Sequence, residues 1–185
     1  MSSITSKTWI SSDLHFYHKG ILEFCPKTRP YKDVEEMHYK MIQEWNASVS
    51  HEDTVYLLGD VSFGTTDQTN QVLQQLMGNI RLIRGNHDNR TLKCPVVRSR
   101  FSTIDNYLEV EYKKTKLIMF HFPILEWNNC HRGSVHLHGH THGDPTGLEQ
   151  YRVRDVGMDA TGKVVCDLDD MIANAKAGSI LKPRH

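Results

Sequence analysis

Asn86, His87 and Asp88 are three adjacent side chains able to hold a hard cation and to move a proton. They follow Ile80-Arg-Leu-Ile83, an apolar run that reads as a buried strand stopping at Gly85. Three polar groups in a row are a costly choice for a core. At the C-terminal end of a strand in an α/β sheet they stand where ligands bind. Similar chemistry recurs along the chain at Asp13-Leu-His15, Gly59-Asp60, His121 and Gly139-His140-Thr-His142. Each follows a short apolar stretch, so five apparent strand ends deliver polar groups.

Seven of these residues are sensible metal ligands: the carboxylates Asp13 and Asp60, the amide Asn86, and the imidazoles His15, His121, His140 and His142. Mixed nitrogen and oxygen ligation suits Mn, Fe, Co, Ni or Zn better than Ca or Mg, and Mn is the favoured member. Seven ligands exceed the needs of one ion with an open position. Two divalent ions sharing a carboxylate, ~3.5–4 Å apart, use them economically. Such a pair activates a water and stabilises attacking and leaving oxygens, which points to phosphoester hydrolysis. Alone, Asp-x-His and Gly-Asp are common loop pairs, and a lone His121 is an ordinary structural histidine. The ordered set carries the inference.

The elements that must position these residues alternate between strand and helix. Thr8-Trp-Ile10 and Thr54 to Leu58 read as strands leading to Asp13 and Asp60. Gly20 to Phe24 reads as a helical turn. Asp33 caps a helix with Glu36 as its capping-box partner, and Val34, Met37, Met41, Ile42 and Trp45 fall on its buried face. A second helix is expected from Asp67 to Met77, stopped by Gly78. Residues 90 to 106 read as irregular. Tyr107 to Tyr112 and Lys116 to Phe120 form an antiparallel pair joined by Lys113-Lys-Thr115, and Val135 to His138 is a further strand. Tyr151 to Val156 and Val164 to Cys166 add strands, and Asp167 caps a last helix ending at Gly178.

Size and composition bound the rest. A chain of 185 residues suits one domain spanning 1–185. Its 22 basic and 22 acidic side chains create no global field toward nucleic acid or membrane. No apolar run is long enough to span a bilayer, and Met1 to Lys7 lacks the apolar centre of a signal peptide. Cys25, Cys94, Cys130 and Cys166 are scattered without a Cys-x-x-Cys pair, which points to a reducing, cytoplasmic location. The unusual count is 12 His.

The ordered motifs Asp13-Leu-His15, Gly59-Asp60, Gly85-Asn-His-Asp88, His121 and Gly139-His140-Thr-His142 resemble the calcineurin-like metallophosphoesterase superfamily. The form Asp13-Leu-His-Phe-Tyr-His18 is similar to its small bacterial and phage members. The resemblance implies an α/β fold, a four-layer α/β/β/α sandwich of two mixed sheets with a dinuclear site at the strand edge. It implies that Asp13, His15, Asp60 and His142 bind one metal. Asp60 bridges, and Asn86, His121 and His140 complete the second. The resemblance further implies attack by a metal-bridging hydroxide, with His87 contacting phosphate and protonating the leaving oxygen. Asp88 orients His87. His138 reads as a structural residue or one behind the ligands, and His18 as either a substrate contact or a surface histidine.

Substrate is less legible. Arg84 and Arg90 flank the Asn-His-Asp loop, where a guanidinium could grip a non-reacting phosphate oxygen. An open site with a leaving-group acid suits a phosphodiester: a cyclic nucleotide, a nucleotide derivative or a nucleic-acid end. No obligate protein partner is evident. The alternatives are a phosphomonoesterase, including a protein phosphatase, and a scaffold without catalysis. Some serine/threonine phosphatases of the superfamily carry Glu where this chain has Asp88, which speaks against that branch. The presence of His87 and all seven ligand candidates speaks against the scaffold.

Overall fold

The computed structural model describes residues 6–183, so His185 and the first five residues of the N-terminal stretch lie outside it. The chain builds two mixed sheets packed face to face. The first holds β1 (Thr8–Ser11), β2 (Thr54–Leu57), β3 (Asn79–Ile83), β4 (Thr103–Asp105) and β9 (Cys166–Asp167), in the order β4-β3-β2-β1-β9. Its strands run parallel except β9, which is antiparallel to β1. The second holds β5 (Tyr107–Tyr112), β6 (Thr115–Phe120), β7 (Val135–His138) and β8 (Val153–Asp155), with β6, β7 and β8 parallel.

Side chains alternate across each strand, and that alternation sorts the core. Ile10, Tyr56, Leu58 and Ile83 point between the sheets, meeting Leu117, Met119, Val135 and Leu137. Trp9, Val55, Leu57, Ile80 and Leu82 point the other way, onto helices α2 (Val34–Ser48) and α3 (Thr66–Leu73). The outer face of the second sheet carries Ile118 and Val153 under Trp127, Cys130 and Leu148. Helix α6 (Leu168–Lys176) buries Leu168, Ile172 and Ala175 in the cluster between the sheets.

Asp33 caps α2, accepting from the Glu36 amide, but Glu36 accepts from the Lys32 amide and does not close the expected box. Trp45 is fully buried with its indole N–H on Met77 O at 2.9 Å. Truncating such an anchor costs roughly 3–5 kcal/mol. Helix α3 is shorter than its apolar pattern suggests. It starts at a Thr65–Gln68 capping box and ends at Leu73. Asn46 of α2 binds Gln75 O and the Met77 amide, taking over backbone groups that a longer helix would use internally.

Three further expectations are corrected. Residues 90 to 106 are not irregular: they form a short 3-10 turn (Thr91–Lys93), α4 (Pro95–Arg98) and β4. Pro95 supplies the preset first helical position, and β4 completes the sheet edge beside β3. The β5–β6 connection is two residues, Lys113 and Lys114, both at positive φ, so Thr115 already pairs with Tyr112. Finally β8 and β9 are shorter than read, at Val153–Asp155 and Cys166–Asp167. Two short helices remain near the site, α1 (Ile21–Phe24) and α5 (Met158–Thr161).

Candidate metal centre

The loops leaving β1, β2, β3, β6 and β7 carry Asp13, Asp60, Asn86, His121 and His140, all at the same edge of the two sheets. The glycines beside them let the loops touch. A Cβ on Gly59 would lie 2.3 Å from Gly85 N, and one on Gly85 would lie 2.2 Å from Asp60 Oδ1. Five of the seven ligand candidates sit in the left-handed region, with φ of 57° at Asp13, 53° at His15, 53° at Asp60, 72° at His140 and 51° at His142. That conformation costs an L-residue roughly 1–2 kcal/mol. Its concentration here marks a site where geometry is kept at the expense of backbone comfort.

All seven candidates converge. Ligand atoms of Asp13, His15 and His142 lie within 4.8 Å of one another, as do those of Asp60, His121 and His140. Asn86 Oδ1 joins the second group at 2.9 Å from His121 Nε2. Asp60 Oδ2 stands between the groups, 3.6 Å from His15 Nε2 and 3.5 Å from His121 Nε2.

Outer hydrogen bonds aim these groups inward. His121 Nδ1 donates to Leu58 O at 2.6 Å, and His142 Nδ1 donates to Asp159 Oδ2 at 2.7 Å. His15 Nδ1 lies 3.3 Å from His18 Nδ1. Asp13 Oδ2 accepts from the His140 amide at 2.9 Å, and Asp60 Oδ1 accepts from the His87 amide at 3.0 Å. These bonds leave Asp13 Oδ1 and His15 Nε2 buried without a hydrogen-bond partner among the described residues and 3.7 Å apart. An orphaned carboxylate oxygen facing an orphaned imidazole nitrogen is costly unless something between them is bound. Two atoms each ~2.0–2.2 Å from one ion are at most ~4.4 Å apart, so the pair fits a divalent cation.

The electrostatics agree. Burial opposes the Asp60 charge, but His121 and His15 outweigh it and hold the carboxyl far below its usual range. Burial likewise opposes the Asp13 charge, and His15 brings its pKa down. Both carboxylates are therefore anionic near neutrality. Burial and the neighbouring His121 lower the His140 pKa, favouring the neutral imidazole that a metal requires. Burial also disfavours charge on His15 and His121, yet Asp13 and Asp60 raise the first and Asp60 the second, so a metal must displace protons there.

His87 is half exposed beside the ligands, with Nε2 at 3.9 Å from Asp60 Oδ2 and its ring 4.5 Å from Phe63. Asp88 does not orient it. Asp88 Oδ2 accepts from the amides of Asp60 and Gly85, and Oδ1 from Val61, so the carboxylate ties the β2 and β3 loops together. Burial raises its pKa, against the pull of those amides. Arg90 shares a cleft of about 290 Å³ with Asn86, His87 and Phe63. Arg84 stands exposed at the end of β3, its amide bonded to Asp105 O, and among the described residues no hydrogen bond or ion pair draws its side chain to the cleft. His18 faces a second, larger cleft together with His15, His140 and His142. His138 is buried with Nδ1 on Gly139 O, and His136 spans Ile118 O and the Ile124 amide, so both serve the frame.

Sequence reading missed three residues. Asp159, in α5, grips His142 and forms a buried ion pair with Arg29 at 2.8 Å. Arg29 also donates to Asp13 O and Leu14 O, linking the first motif to the last. Phe63 stacks on His18 at 4.2 Å and leans on His87, forming a shelf between the two clefts. Its only sequence signal was its place three residues after Asp60.

A family model described as calcineurin-like phosphoesterase matches residues 6–160. An uncharacterised protein of Methanocaldococcus jannaschii is 33% identical over 147 residues, covering 78% of this chain and 73% of that protein. The gene 66 protein of Mycobacterium phage L5 is 31% identical, covering 86% of this chain and 90% of its own length. A crystal structure of an Aquifex aeolicus protein of unknown function superposes with a TM-score of 0.73 at 21% identity, covering 90% of this chain and 98% of that one. No helix among the described residues is long and apolar enough to cross a membrane. With the matched model spanning the strands and loops that carry the site, the chain belongs to the calcineurin-like phosphoesterase family of metal-dependent phosphoesterases.

Proposed function

We propose that this chain hydrolyses phosphodiesters at a centre of two divalent ions, with His87 delivering a proton to the departing oxygen. The observation that carries the reading is the position of Asp60 Oδ2, 3.6 Å from His15 Nε2 on one side and 3.5 Å from His121 Nε2 on the other. Asp13, His15, Asp60 and His142 would hold one ion, and Asp60, Asn86, His121 and His140 the other. Mn is the first choice among transition ions. When bound, such a pair supplies an ionised water as nucleophile and Lewis-acid stabilisation of the phosphoryl oxygens.

The remaining work belongs to the chain. His87 stands over the open side of Asp60, free to reach a substrate oxygen, and its amide bond to Asp60 keeps the loop in register. Arg90 is placed to hold a non-reacting oxygen. A diester carries one negative charge and a poor leaving group that needs protonation, which suits one nearby guanidinium and one positioned acid. The substrate class is a cyclic nucleotide, a nucleotide derivative or a nucleic-acid end.

The test compares bis-p-nitrophenyl phosphate with p-nitrophenyl phosphate on chelator-stripped protein reloaded with Mn, Co, Ni or Zn. The reading predicts at least ~10-fold higher kcat/KM on the diester, a difference of about 1.4 kcal/mol in transition-state stabilisation. Preference for the monoester would favour a phosphatase, and silence with every metal a scaffold.

A further inference from the structure

Two clefts of different size meet at the centre. The one containing His87 and Arg90 is small, about 290 Å³. The other is about 970 Å³, and His15, His140 and His142 form its inner wall. Its outer walls are mostly apolar: Phe24 and Pro26 from the α1 segment, Pro123 and Leu125 from the loop after β6, and Pro145 from the loop after β7. Phe24 is 73% exposed and Leu125 51%, so large apolar surfaces stand open to solvent beside a metal centre. Lys27 and Asp144 are of opposite sign and leave the groove without the cationic lining a polyphosphate needs.

Resting on the phosphodiesterase reading, we infer that the groove of Phe24 and Leu125 holds the substituent that stays on phosphorus, and that this substituent is a planar aromatic group of the nucleobase class. A phosphodiester at the centre has two ester arms and two clefts to receive them. His87 lines the small cleft, so the arm it protonates lies there. Water adds to phosphorus, the P–O bond to that arm breaks, and the proton from His87 goes to the departing oxygen. The other arm remains on the phosphomonoester product and lies in the large groove. An exposed phenyl ring and proline faces stack flat rings with little sequence or functional-group demand. His18, 6.0 Å from Phe24 between ring centroids, extends the same surface toward the ligands.

Three diesters with one common leaving group separate the arms: p-nitrophenyl phenyl, p-nitrophenyl methyl and p-nitrophenyl hexyl phosphate. The retained phenyl group is expected to raise kcat/KM over methyl by ~10-fold or more, from the apolar area it buries, and to exceed hexyl. Replacing Phe24→Ala and Leu125→Ala together should bring the phenyl-to-methyl ratio to within about 3-fold, the groove area being lost. Metal content, measured in parallel, should stay at the wild-type level. Equal rates for phenyl and methyl, or an unchanged ratio in the double variant, would overturn the assignment. A hexyl ester faster than the phenyl ester would overturn its aromatic character in favour of an alkyl chain. Failure to cleave any of the three would remove the phosphodiesterase reading and the groove assignment with it, whereas cleavage of all three at one rate would remove the groove assignment alone.

Discussion

His142 Nδ1 donates to Asp159 Oδ2 at 2.7 Å, while the same carboxylate is held from behind by Arg29 at 2.8 Å. This chain of contacts reaches from α5 through a ligand candidate to the centre of the site. It fixes the His142 tautomer, leaving Nε2 as the atom able to bind metal. Burial opposes charge on Asp159, but His142 and Arg29 together hold its carboxyl well below the usual range. Asp159 is therefore a positioning residue, acting through His142.

The Asp159→Asn variant should bind one of the two ions ~10–100-fold more weakly and the other nearly as well as wild type. Calorimetric titration of metal into stripped protein reads this directly. The change also strands the buried Arg29 guanidinium, with a stability cost of about 3–5 kcal/mol. The titration is therefore run well below the variant's Tm. Unchanged affinity at both sites in the folded variant would refute the positioning role.

In the proposed mechanism His87 protonates the leaving oxygen, so its importance must depend on the leaving group. His87→Ala should slow a diester with an alkoxide leaving group by ~10²–10⁴-fold. It should slow a nitrophenyl ester far less, because nitrophenolate departs without a proton. Metal content should not change. An equal loss on both ester types would mean that His87 binds substrate or shapes the loop instead.

Burial and the neighbouring His138 push the His136 pKa down to about 3, while Nδ1 contacts Ile118 O and Nε2 accepts from the Ile124 amide. In the unfolded chain the imidazole takes up a proton below its ordinary value near 6.5, and the folded chain does not. Stability from this residue is thus complete above about pH 6.5 and falls on acidification toward pH 3, by up to about 1.4 kcal/mol per pH unit. Urea midpoints of metal-free protein between pH 7 and 4 should show this slope, and His136→Gln should flatten it. An unaltered slope in that variant would place the acid sensitivity elsewhere.

The ligand candidates were legible because each is a polar residue interrupting an apolar strand pattern, and the structure gathers all seven at one edge. The alternation of strands and helices followed from the same pattern, whereas the two mixed sheets were implied by the family resemblance. What escaped was set by contacts between distant parts of the chain. Asp88 neighbours His87 in sequence, yet its carboxylate is claimed by the amides of Asp60, Val61 and Gly85, which only the packing of two strand ends brings within reach. Arg29 sits between Thr28 and Pro30 in a stretch that looks like surface, and its partner Asp159 lies 130 residues further on. Helix α3 ends early because Asn46 on another helix binds Gln75 O and the Met77 amide, just past its end. Local propensity carries no trace of such bonds.

The most direct measurement is diester turnover during stepwise addition of Mn to chelator-stripped protein. With Asp60 shared between two ligand groups, activity should stay low through the first equivalent and reach its plateau at two ions per chain, as a bridged pair requires. A plateau at one equivalent, or two bound ions with no hydrolysis of any diester, would contradict the dinuclear phosphodiesterase account.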